Sequence, residues 1–128
     1  VAASAPRSRI VPGEFRILLE QVMKAAVRGN AECLMLSLPI RTLCEPGGDP
    51  NRRTPLQLEM HNLSQERGAP LLDLVPVFQD AAKKEPTSNL YFDIGHATSA
   101  GNALIADVLA REMTPWVREK TGAATVSP

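Results

Sequence analysis

Leu90–Leu109, LYFDIGHATSAGNALIADVL, runs from a short apolar, strand-like piece through an Asp-x-x-His turn into a strongly periodic helix. Asp93 and His96 lie three positions apart in a turn that also holds Gly95. Histidine is the side chain whose ordinary pKa lies near neutrality, which suits it to proton transfer. An aspartate beside it can fix the imidazole tautomer and stabilise the cation formed when the ring takes a proton. Thr98 stands where an N-cap belongs, its hydroxyl within reach of the Gly101 amide. Gly101, Leu104, Ile105, Val108 and Leu109 then form one helical stripe, predicted to end near Met113. Gly101 on that stripe predicts a close approach to a sheet. By itself the pair has two readings. It is either half of a catalytic site, or a surface turn in which Asp93 caps backbone amides and His96 is solvated.

Upstream, helices alternate with short apolar strands. Phe15, Leu18, Leu19, Val22, Met23 and Ala26 recur at helical spacing between Gly13 and Arg28, and Gly29-Asn30 supply a stop. Cys33–Leu38 is nearly all apolar, as a strand covered on both faces is. Pro39–Arg53 holds three prolines and two glycines and reads as a long loop at a strand end, a place where function often sits. Thr54-Pro55-Leu56-Gln57 is a capping box that opens a helix ending at Arg67-Gly68. Leu71–Leu74 is a second short strand, with Asp73 expected to order the turn into a helix over Val75–Lys84. Glu85–Asn89 reads as loop. The order α-β-α-β-α-loop-α predicts a layered α/β fold. Its expected globular unit is residues 12–120, with a tail or linker at 1–11 and a tail at 121–128.

The chain of 128 residues suits one domain, and 44% hydrophobic with 22% charged content is ordinary for a globular protein. Formal net charge is zero and no Lys/Arg block occurs, so nothing points to nucleic acid or an anionic membrane surface. No apolar run approaches the length that spans a bilayer. The start, VAASAPRSRIVPG, has no basic-then-apolar signal pattern and no initiator Met, which leads us to expect a processed or excised chain. Cys33 and Cys44 form neither a disulfide framework nor a metal-ligand pattern. They are expected as free thiols, Cys33 buried at its strand start. Asp93 and His96 have no further ligand at metal-binding spacing, so neither a metal nor a cofactor is expected. His61 is predicted to point outward from its helix. Arg41, Arg52 and Arg53 are expected as solvated charges, the other reading being that they shape an acyl or anionic-substrate pocket. Tyr91 and Trp116 are expected as packing residues.

The block FDIGHATSAGNALIADVLA resembles the last block of the SGNH, or GDSL-type, hydrolases. In that family an Asp-x-x-His turn precedes a small or hydroxyl residue, a Gly and an apolar helix. Here those positions are Asp93, His96, Thr98, Gly101 and the Leu104/Ile105/Val108/Leu109 stripe. EFRILLEQVMKAA is similar to the helix after the family's third block, and CLMLSLP to its next core strand. PLQLEMHNLSQERGAPLLDL resembles the helix and acid-ended strand that follow. The resemblance spans roughly residues 10 to 113. It implies a three-layer α/β/α, flavodoxin-like fold with a five-stranded parallel sheet, of which this chain supplies the C-terminal portion. It also implies a serine ester hydrolase in which His96 is the general base and Asp93 orients it. The substrate would be a small-molecule ester or an acylated carbohydrate or lipid.

Ala97 stands where the family often has Pro or Leu, a small departure. A larger one is that no Gly-Asp-Ser nucleophile block or Gly-x-Asn block is present. Gly48-Asp49-Pro50 ends in a residue that cannot attack a carbonyl. Ser37, Ser64, Ser88, Ser99 and the tail residues Ser4, Ser8 and Ser127 all lack the exposed strand-to-helix setting of a nucleophile elbow. Nor does spacing pair Cys44 with His96. The nucleophile and oxyanion-hole donors are therefore expected outside this chain, in an N-terminal half of the domain. Without that half, the chain is expected to aggregate through its open sheet edge and uncovered helix faces. The rival reading is a non-catalytic or degenerate α/β binding module with a structural Asp93/His96 turn.

Overall fold

The computed structural model describes residues 10–122. The predicted tails at 1–11 and 121–128 thus lie outside the described residues, apart from Ile10, Val11, Thr121 and Gly122.

Helix α1 (Pro12–Arg28) opens on a proline, whose missing N–H is no loss at a first helical position. Helix α3 (Pro55–Arg67) has the full capping box: Thr54 Oγ1 accepts from the Gln57 amide at 3.2 Å, and Gln57 Oε1 accepts from the Thr54 amide at 2.8 Å. It ends at Gly68, left-handed at φ 65°. Gln57 Nε2 also donates to the Leu38 carbonyl at 2.8 Å, which ties the start of α3 to the chain leaving the first strand.

Strands β1 (Met35–Ser37) and β2 (Leu71–Asp73) pair in parallel, with Met35 opposite Leu71 and Ser37 opposite Asp73. Each is shorter than its apolar run, because only three residues on each side find a ladder partner. The result is an α/β fold of helices around a small, two-stranded parallel sheet.

Five further features differ from the expectation. The loop after β1 contains a helical turn, α2 (Arg41–Cys44), which buries Leu43 and Cys44. Cys44 is therefore the buried thiol, whereas Cys33 is half-buried; both are free. After α4 (Val75–Ala82), the expected loop forms another turn, α5 (Thr87–Leu90). Tyr91 then makes only an isolated antiparallel bridge to Ala97, so the strand-like start of the quoted stretch is not a strand. Finally, α6 (Ser99–Thr121) continues past Met113 and through Pro115. Pro115 is on the exposed side of the helix, where the carbonyl it leaves without an amide partner can be hydrated.

Most of the buried apolar residues form one cluster, with Met35 of β1 and Leu63 of α3 buried outside it. Leu43, Leu74, Val75, Phe78, Leu90, Tyr91 and Val108 pack together from α2, α4, α5 and the first half of α6, directly behind the 93–96 turn. In contrast, α1 buries no residue. Its apolar face meets α3 only in part, and that contact is bordered by ion pairs of Arg16 with Glu66 and of Arg67 with Glu20. Leu18 and Val22 stay half or more exposed, at 50% and 57%.

Candidate active site

The Asp93–His96 turn is clamped at its base. Phe92 N–H donates to the His96 carbonyl at 2.8 Å, and Thr98 N–H donates to the Leu90 carbonyl at 3.0 Å. From the side, the Arg41 amide at the start of α2 donates to the Ile94 carbonyl at 2.8 Å. Thr98 Oγ1 accepts from the Gly101 amide at 3.2 Å, the predicted cap, and donates to the Asn89 carbonyl at 2.5 Å. Gly101 makes a close approach, although not to the sheet: a Cβ there would run into the Leu90 carbonyl oxygen. The short apolar piece thus meets α6 backbone to backbone, and the turn projects from that junction.

Within the turn, Asp93 Oδ1 accepts from the amides of Gly95 (2.9 Å) and His96 (2.8 Å). Asp93 Oδ2 lies 2.7 Å from His96 Nδ1. These contacts, led by the Gly95 amide and followed by the His96 ring, hold the Asp93 carboxyl down at about 2. Asp93 is consequently ionised at neutral pH and can only accept, so Nδ1 must carry the proton in this contact. In the neutral ring the lone pair then sits on Nε2, which has no hydrogen-bond partner among the described residues. With the His96 side chain 83% exposed, that nitrogen is open to a group brought to it from solvent.

His96 also borders a cavity of about 250 Å³ shared with Leu38 and Pro39, the two residues that follow β1. The turn therefore sits at the carboxyl end of the parallel pair, where α/β folds place ligands. Phe78 and Tyr91 form part of its wall, their ring centroids 5.3 Å apart. The Tyr91 hydroxyl donates to the Pro39 carbonyl at 3.1 Å and lies 3.8 Å from Cys44 Sγ, and burial raises its pKa.

Among the described residues no serine hydroxyl bonds His96. Ser37 Oγ is fully buried without a hydrogen-bond partner, and Ser64 Oγ donates to the Ala69 carbonyl at 2.6 Å. Ser99 is the first residue of α6 and Ser88 lies in α5. Cys44 is packed in the core, and burial raises its thiol pKa, which disfavours the nucleophilic thiolate. The described residues hold no group of three or more His, Cys, Asp or Glu side chains suited to a metal ion. No described helix is long and apolar enough to cross a membrane.

One cluster escaped the sequence reading. His61 does not simply point to solvent: its Nε2 lies 3.1 Å from Asp73 Oδ2. Arg53 reaches the same oxygen through Nε at 2.9 Å and Nη2 at 2.8 Å, with its side chain only 11% exposed. Arg53 Nη1 donates to the carbonyls of Pro50 and Arg52, so the cluster fastens the long loop to the end of β2. Asp73 Oδ1 meanwhile accepts from the Val75 amide at 3.0 Å, as expected for a residue that orders the turn into α4. Arg41 also has partners, Glu45 and Thr87. Partners 20 and 12 residues apart leave no periodic trace in sequence.

No protein family and no curated protein matches the chain in sequence. Among solved structures, its fold is similar to that of LAE5, described as an alpha/beta hydrolase enzyme from the metagenome of Lake Arreo, Spain. The TM-score is 0.63 at 17% identity, covering 80% of this chain and 47% of LAE5. The chain thus spans about half the length of that enzyme and shares its α/β fold over that part.

Proposed function

We propose that this chain is the base-bearing part of a serine ester hydrolase of the SGNH, or GDSL, type, with His96 as general base and Asp93 as its orienting carboxylate. The observation that carries the reading is the 2.7 Å contact of His96 Nδ1 with Asp93 Oδ2, which leaves Nε2 unpartnered on an exposed turn. The Asp-x-x-His, Thr98 and Gly101 pattern supports the family, and the likeness to an alpha/beta hydrolase of which the match covers only 47% supports a larger domain. In this proposal residues 12–120 are the C-terminal portion of a three-layer α/β/α domain. The nucleophilic serine and the oxyanion-hole Gly and Asn come from an N-terminal portion.

The chemistry follows from the pair. The serine oxygen attacks the ester carbonyl while Nε2 takes its proton, and Asp93 stabilises the resulting imidazolium. Nε2 then returns the proton to the departing alcohol oxygen. Water then attacks the acyl carbon as Nε2 takes its proton, and breaking of the bond to the serine oxygen, which receives that proton back from Nε2, releases the acid and restores the serine. The reaction needs no cofactor.

Coding sequence upstream of Val1 is expected to contain a Gly-Asp-Ser block. The full-length protein is expected to hydrolyse a short-chain aryl ester, and His96→Ala to lower kcat by about 10²–10⁴-fold. Full activity in that variant would sink the assignment of the base. A full-length protein that hydrolyses no ester would instead favour a binding module with a structural turn.

A further inference from the structure

We infer that Arg41, Glu45 and Thr87 form a brace for the Asp93–His96 turn, which makes Arg41 and Thr87 positioning residues for the proton transfer assigned to His96. The inference rests on the hydrolase reading above and adds to it what holds the base in place.

The turn fixes its own shape but not its direction. Asp93 accepts from the Gly95 and His96 amides and from the His96 ring, and all three contacts are internal to the turn. The Phe92 amide on the His96 carbonyl and the Thr98 amide on the Leu90 carbonyl pin only its base. A projection held there alone can swing as one body. Among the described residues, one hydrogen bond reaches positions 92–96 from outside positions 87–102. It is the Arg41 amide on the Ile94 carbonyl at 2.8 Å, between Asp93 and His96 in the chain. The direction of the imidazole is therefore no better fixed than α2 is.

A helical turn of four residues does not hold itself, being far below the length at which a helix is stable alone in water. Its N-cap, Ile40, supplies no side-chain hydrogen bond, and the residues that it buries, Leu43 and Cys44, lie at its far end. The near end is held by polar contacts. Arg41 Nε donates to Glu45 Oε1 at 3.0 Å and to Thr87 Oγ1 at 3.2 Å. Thr87 Oγ1 in turn donates to the same Glu45 oxygen at 3.0 Å. Thr87 is buried and opens α5, and Leu90 at the other end of α5 carries the carbonyl that binds the Thr98 amide. The contacts close a ring: from Ile94 to Arg41 and Thr87, along α5 to Leu90, and through Thr98 back to the turn. Such a ring resists the swing that the base pins permit. Placement matters here, because a displacement of about 1 Å at a reacting group can cost about 10²-fold in rate.

The test uses the full-length protein with phenyl acetate, and four variants. Thr87→Val keeps the side-chain shape and removes the hydroxyl, whereas Thr87→Ser keeps the hydroxyl. Arg41→Ala removes the side-chain contacts and keeps the amide. Arg41→Pro removes the amide as well, at a first helical position behind the extended Ile40, where proline fits. Thr87→Val and Arg41→Ala should lower kcat by about tenfold or more while KM changes by less than about threefold. Arg41→Pro should lower kcat further, and Thr87→Ser should return it to within about threefold of wild type. In Thr87→Val, hydrogen exchange at the Arg41 amide should speed up by about tenfold or more. The Gly95 and His96 amides should keep their acid midpoint near 2 throughout, because the turn itself stays intact. Wild-type kcat in Thr87→Val and Arg41→Ala, or unchanged protection of the Arg41 amide, overturns the brace. So does a midpoint that rises toward 3.8, since the variants would then have damaged the turn and not its direction. Failure of the hydrolase reading is seen separately: His96→Ala keeps full activity, or the wild type turns over no ester, and the positioning role then falls with it.

Discussion

Asp93 directs both carboxylate oxygens inward onto its own turn, and that local arrangement yields a pH prediction. Its pKa is held at about 2, below the ordinary 3.8, chiefly by the Gly95 amide. A carboxylate with a depressed folded pKa stabilises the turn fully above its ordinary pKa and loses that contribution as pH falls through the folded value. The turn should therefore be intact at pH 5 and above and loosen on descending from about 4 to 2. The amide NMR signals of Gly95 and His96 are expected to titrate together with a midpoint near 2; a midpoint at or above 3.8 would show that solution lacks these hydrogen bonds. The contact was legible in sequence because three residues of one turn decide it. The Arg53–Asp73–His61 cluster was not, since its members come from a loop, a strand end and a helix that only the fold brings together.

Elements were readable where their signals are local. The Thr54 capping box, the Thr98 cap and the Gly68 stop all appear as the sequence indicates, because each uses neighbours within one turn. Strand lengths and the end of α6 were not, since ladder partners set the first and solvent access around Pro115 permits the second. Gly101 shows the difference in energetic terms. In an ordinary helix interior Gly→Ala gains up to about 1 kcal/mol. Here the new Cβ would strike the Leu90 carbonyl oxygen and lie 3.0 Å from Ala97 Cβ. That carbonyl cannot easily yield, because it also accepts from the Thr98 amide. Gly101→Ala should accordingly lose about 1–3 kcal/mol, as overpacking does, visible as a lower urea midpoint. A stabilised variant would show that α6 stands further from Leu90 than described.

At the scale of the molecule, packing is uneven. The core gathers behind the His96 turn, while α1 buries nothing and the sheet has only two strands. The ion pairs of Arg16 and Arg67 at the surface contribute little to holding α1, because solvent and salt screen them. Leu18 and Val22 on α1, with Phe92 and Ile94 at the turn, leave apolar surface uncovered. The isolated chain is expected to self-associate at micromolar concentration and bind a hydrophobic dye, as measured by light scattering after size exclusion and by fluorescence. A monomer with one cooperative thermal transition would contradict this.

The sequence by itself determined the four longer helices and the two short strands, the caps at Thr54, Gly68 and Thr98, and the Asp93–His96 pairing, all of which depend on residues within a turn or two of one another. Tertiary structure decided that β1 and β2 are neighbours in parallel, that Cys44 is core, and that His96 opens onto a cavity shared with Leu38 and Pro39. Those features depend on contacts between segments tens of residues apart, whose order in the chain carries no distance.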